Sequence, residues 1–445
     1  MTAGTVRGVP LVLALVIVAY LPFLGGGFLT DDFAHLARID QAGSARALLA
    51  VPDAFGFYRP LTQATLAIDL EIHGRAAAAF RIISLGLHAA VLALAFVVAR
   101  LVLVSPLAAA AATLAFALTP KAHPIAVLWI SARGELLMAV GSLAAIAAWI
   151  RWSRGGRHWW IAAAIACYVG AVLSKETALL LPVLLLLTPS PSIPIRNRLT
   201  AAAVMAALAG VLLWWRYEVG ALMPFSSDPH YNMEVPLARF VRNAQNYVGR
   251  MLPAPLAIVA AAVAGWVAAG RPARVSSPEP WLASAVFAVA WVVIFTLPIL
   301  GIPARNELYL YLPSFGGCMV AAIVLRRLFG DRPLPRAAEV SLLVCVLLLA
   351  GYQVSRIRAF HENHVFSERL VEALAAAPAL RDGNGSIVLL AADPVSGAFL
   401  RDAVGGYLDL VIAHARGKGR IPQASGSVLR LRCAYRDGRV LLQPL

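Results

Sequence analysis

The chain has 445 residues, of which 60% are hydrophobic and only 14% charged, with a mean hydropathy of +0.76. A soluble protein of that length needs far more polar side chains to cover its surface, so soluble globular folds are excluded. The formal charge of +15 does not indicate nucleic acid, because the arginines cluster in short connectors rather than along one face.

The apolar residues come in blocks of about 17–25, the length that crosses a bilayer core. Breaks at Pro, Gly and charge clusters predict about eleven spans, over residues 9–24, 81–104, 107–120, 134–151, 159–174, 176–189, 199–215, 250–269, 281–300, 309–326 and 338–355. The first has one preceding Arg and no small-x-small cleavage site, so it reads as a retained helix rather than a cleaved signal. The third and sixth are short and are expected to be tilted, half-buried or re-entrant. Cys167, Cys318 and Cys345 lie in apolar spans and Cys433 has no evident partner, so no disulfide framework is expected.

Alternate connectors differ in charge. One set holds Arg100, Arg151, Arg154, Arg157, Arg196, Arg198, Arg271, Arg274, Arg326 and Arg327, opposed by few acids, and is assigned to the cytoplasm together with the N-terminus. The other set, with the first loop (residues 25–80), then faces outward. An odd number of spans places the C-terminal tail outside as well.

That tail changes character near residue 356. Residues 356–380 read as an amphipathic helix continuing the last span, Ser386–Ala392 as a strand, and Val428–Tyr435 as an alternating strand joined by an Asp437-Gly438 turn to a second one. The fold class is therefore an all-α polytopic membrane protein (1–355) with a small C-terminal α/β domain (356–445).

The chemistry-bearing residues gather at the predicted outer ends. Asp31 and Asp32 follow the first span, where they suit either helix capping or a catalytic carboxylate. Phe57-Tyr58-Arg59-Pro60 precedes a predicted helix whose Leu61, Thr65, Ile68 and Ile72 share one face, suited to the bilayer surface or to packing on the bundle. Only three lysines occur, and two, Lys121 and Lys175, stand at outer span ends. Arg133, Glu135, Glu176 and Arg305 fall on the same side, and His123 lies beside Lys121. Ionisable groups at such depth are either structural ion pairs or functional. Together they would supply the positive charge that a phosphate-bearing lipid head group needs. No His or Cys pair has metal-site spacing, and no P-loop or dinucleotide fingerprint is present.

In chain order these segments resemble the multi-spanning GT-C glycosyltransferases, closest to the TMTC-type and protein O-mannosyltransferase-like branch. The resemblance rests on Thr30-Asp31-Asp32, Tyr58-Arg59-Pro60-Leu61, Leu85-Gly86-Leu87-His88, His123-Pro124, Trp129 through Leu137, Ser174-Lys175-Glu176-Thr177 and Tyr311-Leu312-Pro313-Ser314. It implies transfer of a sugar from a polyprenyl-phosphate carrier to an acceptor hydroxyl at the extracytoplasmic face. The family's acidic motif would fall on Asp31 and Asp32, and its Ser-Lys-Glu motif on Lys175 and Glu176. The chain departs from that branch twice. It has no tetratricopeptide tail, so a protein acceptor is not implied, and Glu307-Leu308 stands where the family has Glu-Arg, leaving Arg305 as the nearest basic residue.

The expected mechanism is inverting transfer, with Asp31 or Asp32 as base and Arg59, Arg133 and Lys175 around the departing phosphate. An Asp pair also suits a hard divalent cation such as Mg or Mn, and the sequence leaves base and ligand roles open. A polysaccharide polymerase or ligase is the nearest alternative. A lipid-linked sugar flippase would want midplane charges and repeated halves. The Arg-rich, Lys-poor composition and compact loops suggest a bacterial inner membrane.

Overall fold

The computed structural model describes residues 9–42, 51–103, 105–221, 236–270, 281–303, 306–330, 334–376, 386–415 and 428–444. The helices are α1 (Val9–Val18), α2 (Asp31–Ala42), α3 (Pro60–His73), α4 (Ala77–Leu103), α5 (Pro106–Ala117), α6 (Ala122–Leu128), α7 (Arg133–Ser153) and α8 (Trp159–Ser174). They continue with α9 (Leu181–Leu186), α10 (Ile195–Glu218), α11 (Leu237–Met251), α12 (Pro253–Ala268), α13 (Trp281–Thr296), α14 (Tyr311–Phe329) and α15 (Arg336–Ala376). Among the described residues six helices are long and apolar enough to cross a membrane, and up to eight if two bent pairs each count as one span. The predicted third span, 107–120, covers only the first half of one of these pairs, α5, from which α6 is bent by 68° across a break that includes Thr119-Pro120-Lys121. The predicted sixth is a short apolar helix over Glu176–Leu186.

Small residues and aromatics from the long helices fill one large core, including Trp149, Tyr168, Trp291 and Phe315. The opposite faces carry exposed apolar side chains, such as Leu343, Leu347 and Leu348 on α15 and Val286, Val289 and Val293 on α13. In water such stripes would be costly, and against lipid tails they are not. Arginines of the charged connectors satisfy helix C-terminal carbonyls at one end of the bundle. Arg154 donates to Leu101 and Pro189, Arg326 to Leu103, and Arg198 to Leu186.

α3 resolves the two readings of its amphipathic face. Thr62, Gln63, Leu66 and Asp69 are buried against the bundle, while Leu61, Ile68 and Ile72 are exposed by 37%, 53% and 67%. The apolar face is thus turned away from the protein, and a different face does the packing.

α15 runs unbroken for 41 residues from the membrane core into the tail. There it meets β1 (Ser386–Ala391), α16 (Pro394–Ala403), α17 (Leu408–Ala415), β2 (Val428–Arg436) and β3 (Arg439–Pro444). β1 pairs parallel with β2, which pairs antiparallel with β3. Asp437 and Gly438 turn the hairpin with φ of 50° and 71°, as an Asp-Gly pair favours. A second core joins this sheet to the first loop, with Phe28, Phe33, Leu36, Phe80, Phe366, Leu370 and Leu431 buried together. The C-terminal unit therefore packs directly on the segment that carries Asp31.

Candidate active site

The approach to Asp31 is a glycine run held by one arginine. Arg81 of α4 is fully buried, and its guanidinium donates to the carbonyls of Leu24, Gly25, Gly26 and Gly27 while standing 2.6 Å from His364 Nδ1. Gly27 is needed there, because a Cβ would meet the backbone nitrogen of Glu368 at 2.8 Å. Thr30 then adopts a φ of 34°, rare for a residue with a Cβ, and its N–H donates to Ala403 of the C-terminal unit at 2.9 Å. The two acids that follow point to different tasks.

Asp32 is buried and structural in its contacts. Its Oδ1 accepts from the Ser131 N–H at 2.8 Å and the Ser131 hydroxyl at 2.5 Å, and its Oδ2 accepts from Leu29 N–H at 3.0 Å. Burial pushes its carboxyl above the usual range, against the pull of the Ser131 and Leu29 donors and the Arg81 charge. These bonds staple the first loop to residues 129–135. Asp31 instead lines a cavity of about 230 Å³.

The same cavity is lined by Arg59, Glu135, Lys175 and Glu176, so distant stretches do converge on one pocket. Arg59 pairs with Glu176 through Nε at 3.0 Å and a terminal nitrogen at 2.5 Å, and Lys175 Nζ lies 2.5 Å from Glu135 Oε2 and 5.1 Å from the Tyr309 ring centre. Thr62 ties the elements together by donating to the Ser174 carbonyl at 3.1 Å. Gly134 permits that approach, since a Cβ there would meet Thr62 Oγ1 at 3.1 Å and the Ser174 carbonyl at 3.2 Å. A Gly134→Val variant should therefore keep the bundle but spread Arg59 from Lys175. A loss of about 1–3 kcal/mol in stability is expected, read by thermal unfolding in detergent.

His35, Tyr58, Trp129, Ser131, Arg216 and Asn306 also line this pocket and were not singled out from sequence as site residues. Burial holds the His35 imidazole below its ordinary range, so it stays neutral, with the Gln63 amide 2.8 Å from Nδ1. Arg216 donates to the carbonyls of Val172 and Tyr58. Leu179, Leu213, Pro298, Ile299, Ile302 and Leu308 add apolar surface to its lining.

Two sequence candidates lie elsewhere. Arg133 is fully buried, pairs with Asp69, donates to the Phe80 carbonyl at 2.8 Å, and does not line the cavity. His123 is fully buried among His88, Phe116 and Tyr311 with ring centres 4.8–4.9 Å away. Arg305 falls outside the described residues. The Tyr311-Leu312-Pro313-Ser314 motif is core, with the Tyr311 hydroxyl 2.6 Å from His88 Nδ1 and the Leu312 carbonyl accepting from Trp291. Among the described residues no three His, Cys, Asp or Glu side chains stand together to hold an ion, and both Asp32 oxygens already have donors.

The chain shares its fold with ArnT from Cupriavidus metallidurans. The structure of ArnT bound to undecaprenyl phosphate aligns with a TM-score of 0.53 at 14% identity, covering 99% of this chain and 98% of that one. The apo structure of the same protein aligns at 0.54 and 15% identity over the same shares. The chain thus has the fold of ArnT, a polytopic helical bundle with a small C-terminal sheet, along nearly its whole length. No protein family's model matches the sequence, and no curated protein matches it.

Proposed function

We propose that the protein is a membrane glycosyltransferase that moves a sugar from a polyprenyl-phosphate donor to an acceptor hydroxyl, with inversion, at the extracytoplasmic face of a bacterial inner membrane. The observation that carries this reading is one cavity lined both by Asp31, Arg59 and Lys175 and by the apolar side chains of Leu179, Leu213, Pro298, Ile299, Ile302 and Leu308. A charged head group and a prenyl chain need both kinds of lining. The undecaprenyl phosphate held by the ArnT structure of the same fold supports the same carrier class. The nearer likeness to the TMTC-type branch rests on the short motifs, and the proposal does not need it.

In the proposed reaction the acceptor oxygen attacks the anomeric carbon while the bond from that carbon to the phosphate oxygen breaks. The electron pair leaves with the phosphate, and the acceptor proton passes to Asp31. Lining charges balance this change. Asp31, Glu135 and Glu176 oppose Arg59, Lys175 and Arg216, with His35 neutral, so the described wall starts with no net charge. Protonating Asp31 leaves it one positive charge in excess as the phosphate gains one negative charge. That matches stabilisation to the transition state rather than to the bound donor.

Purified protein incubated with a panel of polyprenyl-phosphate sugars and membrane extract should consume one donor and release polyprenyl phosphate. Consumption of none, with the protein folded, would overturn the proposal.

A further inference from the structure

A second cavity, of about 460 Å³, lies between the C-terminal unit and the bundle. Thr30, Trp129, Asn306, Arg356, Asn363 and Asp402 line it. Trp129 and Asn306 also line the Asp31 cavity, so these two residues are a shared wall. Thr30 and Asp31 are consecutive, and the chain turns between them so that one lines each cavity. Asp402, near the end of α16, lines it, next to the Thr30–Ala403 hydrogen bond that ties α16 to the first loop.

Its lining holds one cation, Arg356, and one anion, Asp402, and further charges cluster on the residue that follows Asn306. Glu307 is surrounded by Arg356 at 2.9 Å, Arg250 at 3.7 Å and Lys121 at 3.9 Å, three cations on one carboxylate. With Asp402 counted, Arg356, Arg250 and Lys121 stand against two carboxylates, which leaves one positive charge in excess at and beside this cavity, whereas the lining of the Asp31 cavity has none. We propose that the second cavity is the acceptor site, and that it takes an anionic saccharide. This deepens the function proposed above and rests on it. Aromatic, amide and carboxylate groups suit a sugar's faces and hydroxyls. Arg356, with Lys121 and Arg250 behind it, takes the negative group. A hydroxyl presented past Trp129 and Asn306 reaches the wall where Asp31 stands.

The saccharide's source is either a soluble glycan or a glycolipid head group, and the test separates them. Aqueous and lipid fractions of the source cell are each split on an anion exchanger and offered as acceptors with labelled donor. Transfer is expected into an anionic fraction, and which phase it lies in identifies the source. Transfer only into neutral fractions would overturn the proposal.

Two variants locate the site. Ala359→Trp fills the second cavity from α15 and should cut transfer at least tenfold, with donor dissociation constant within twofold of the parent and an unchanged melting temperature. Arg356→Gln should raise the acceptor KM about tenfold with kcat changed less than threefold, and Arg356→Lys should recover part of it. Unchanged transfer in Ala359→Trp, or loss of donor binding with it, would overturn the assignment. If the unaltered protein binds and consumes no polyprenyl-phosphate sugar, the function proposed above falls first and this inference with it.

Discussion

Asp31→Asn is expected to lower sugar transfer by about 10²–10⁴-fold, the usual contribution of a positioned general base, while the melting temperature and donor affinity stay near the parent values. Asparagine keeps the shape and lining of the cavity but cannot take the acceptor proton. Asp32→Asn should lose activity by another route. Its Oδ1 accepts two bonds from Ser131 and its Oδ2 accepts from Leu29, and an amide can satisfy only one side. A buried N–H···H–N conflict then loosens the staple, at about 1–3 kcal/mol. The two variants separate on thermal unfolding in detergent. Equal activity loss with equal destabilisation would mean that both acids are structural, and a fully active Asp31→Asn would remove the proposed base.

The sequence exposed these acids and cations because they stand beside long apolar runs, where a charge is conspicuous. Asp31, Arg59, Glu135, Lys175 and Glu176 were legible for that reason, and they meet in one cavity. The C-terminal strands were legible from alternation and the Asp-Gly turn. Arg81 was not, although it holds the whole approach to Asp31. Its partners are four backbone carbonyls of an irregular segment, the Leu128 carbonyl of α6, and His364, some 283 residues away. No periodicity marks such a partnership. The Glu307 cluster was hidden similarly, since Lys121, Arg250 and Arg356 come from three unconnected elements. The count of spans was legible only in part. Length alone cannot distinguish a crossing helix from a bent pair such as α5 and α6, whose break contains Pro120.

Arg133 shows where position at a span end misleads. Sequence placed it with the phosphate-binding cations, yet its charge is met by Asp69 of α3, with the Thr65 and Phe80 carbonyls beside it. Arg133→Met alone should destabilise the protein by about 3–5 kcal/mol, because Asp69 is left as an uncompensated buried charge. Activity would fall with the folded fraction. Adding Asp69→Leu removes the stranded carboxylate and should restore most of the stability, since a buried pair exchanged for apolar side chains is often close to neutral. The same double variant should also regain transfer with a donor KM near the parent value, because neither side chain lines the Asp31 cavity. A double variant that is stable but has a donor KM raised tenfold would place Arg133 at the phosphate after all, and its pair with Asp69 would then be an arrangement that donor binding breaks.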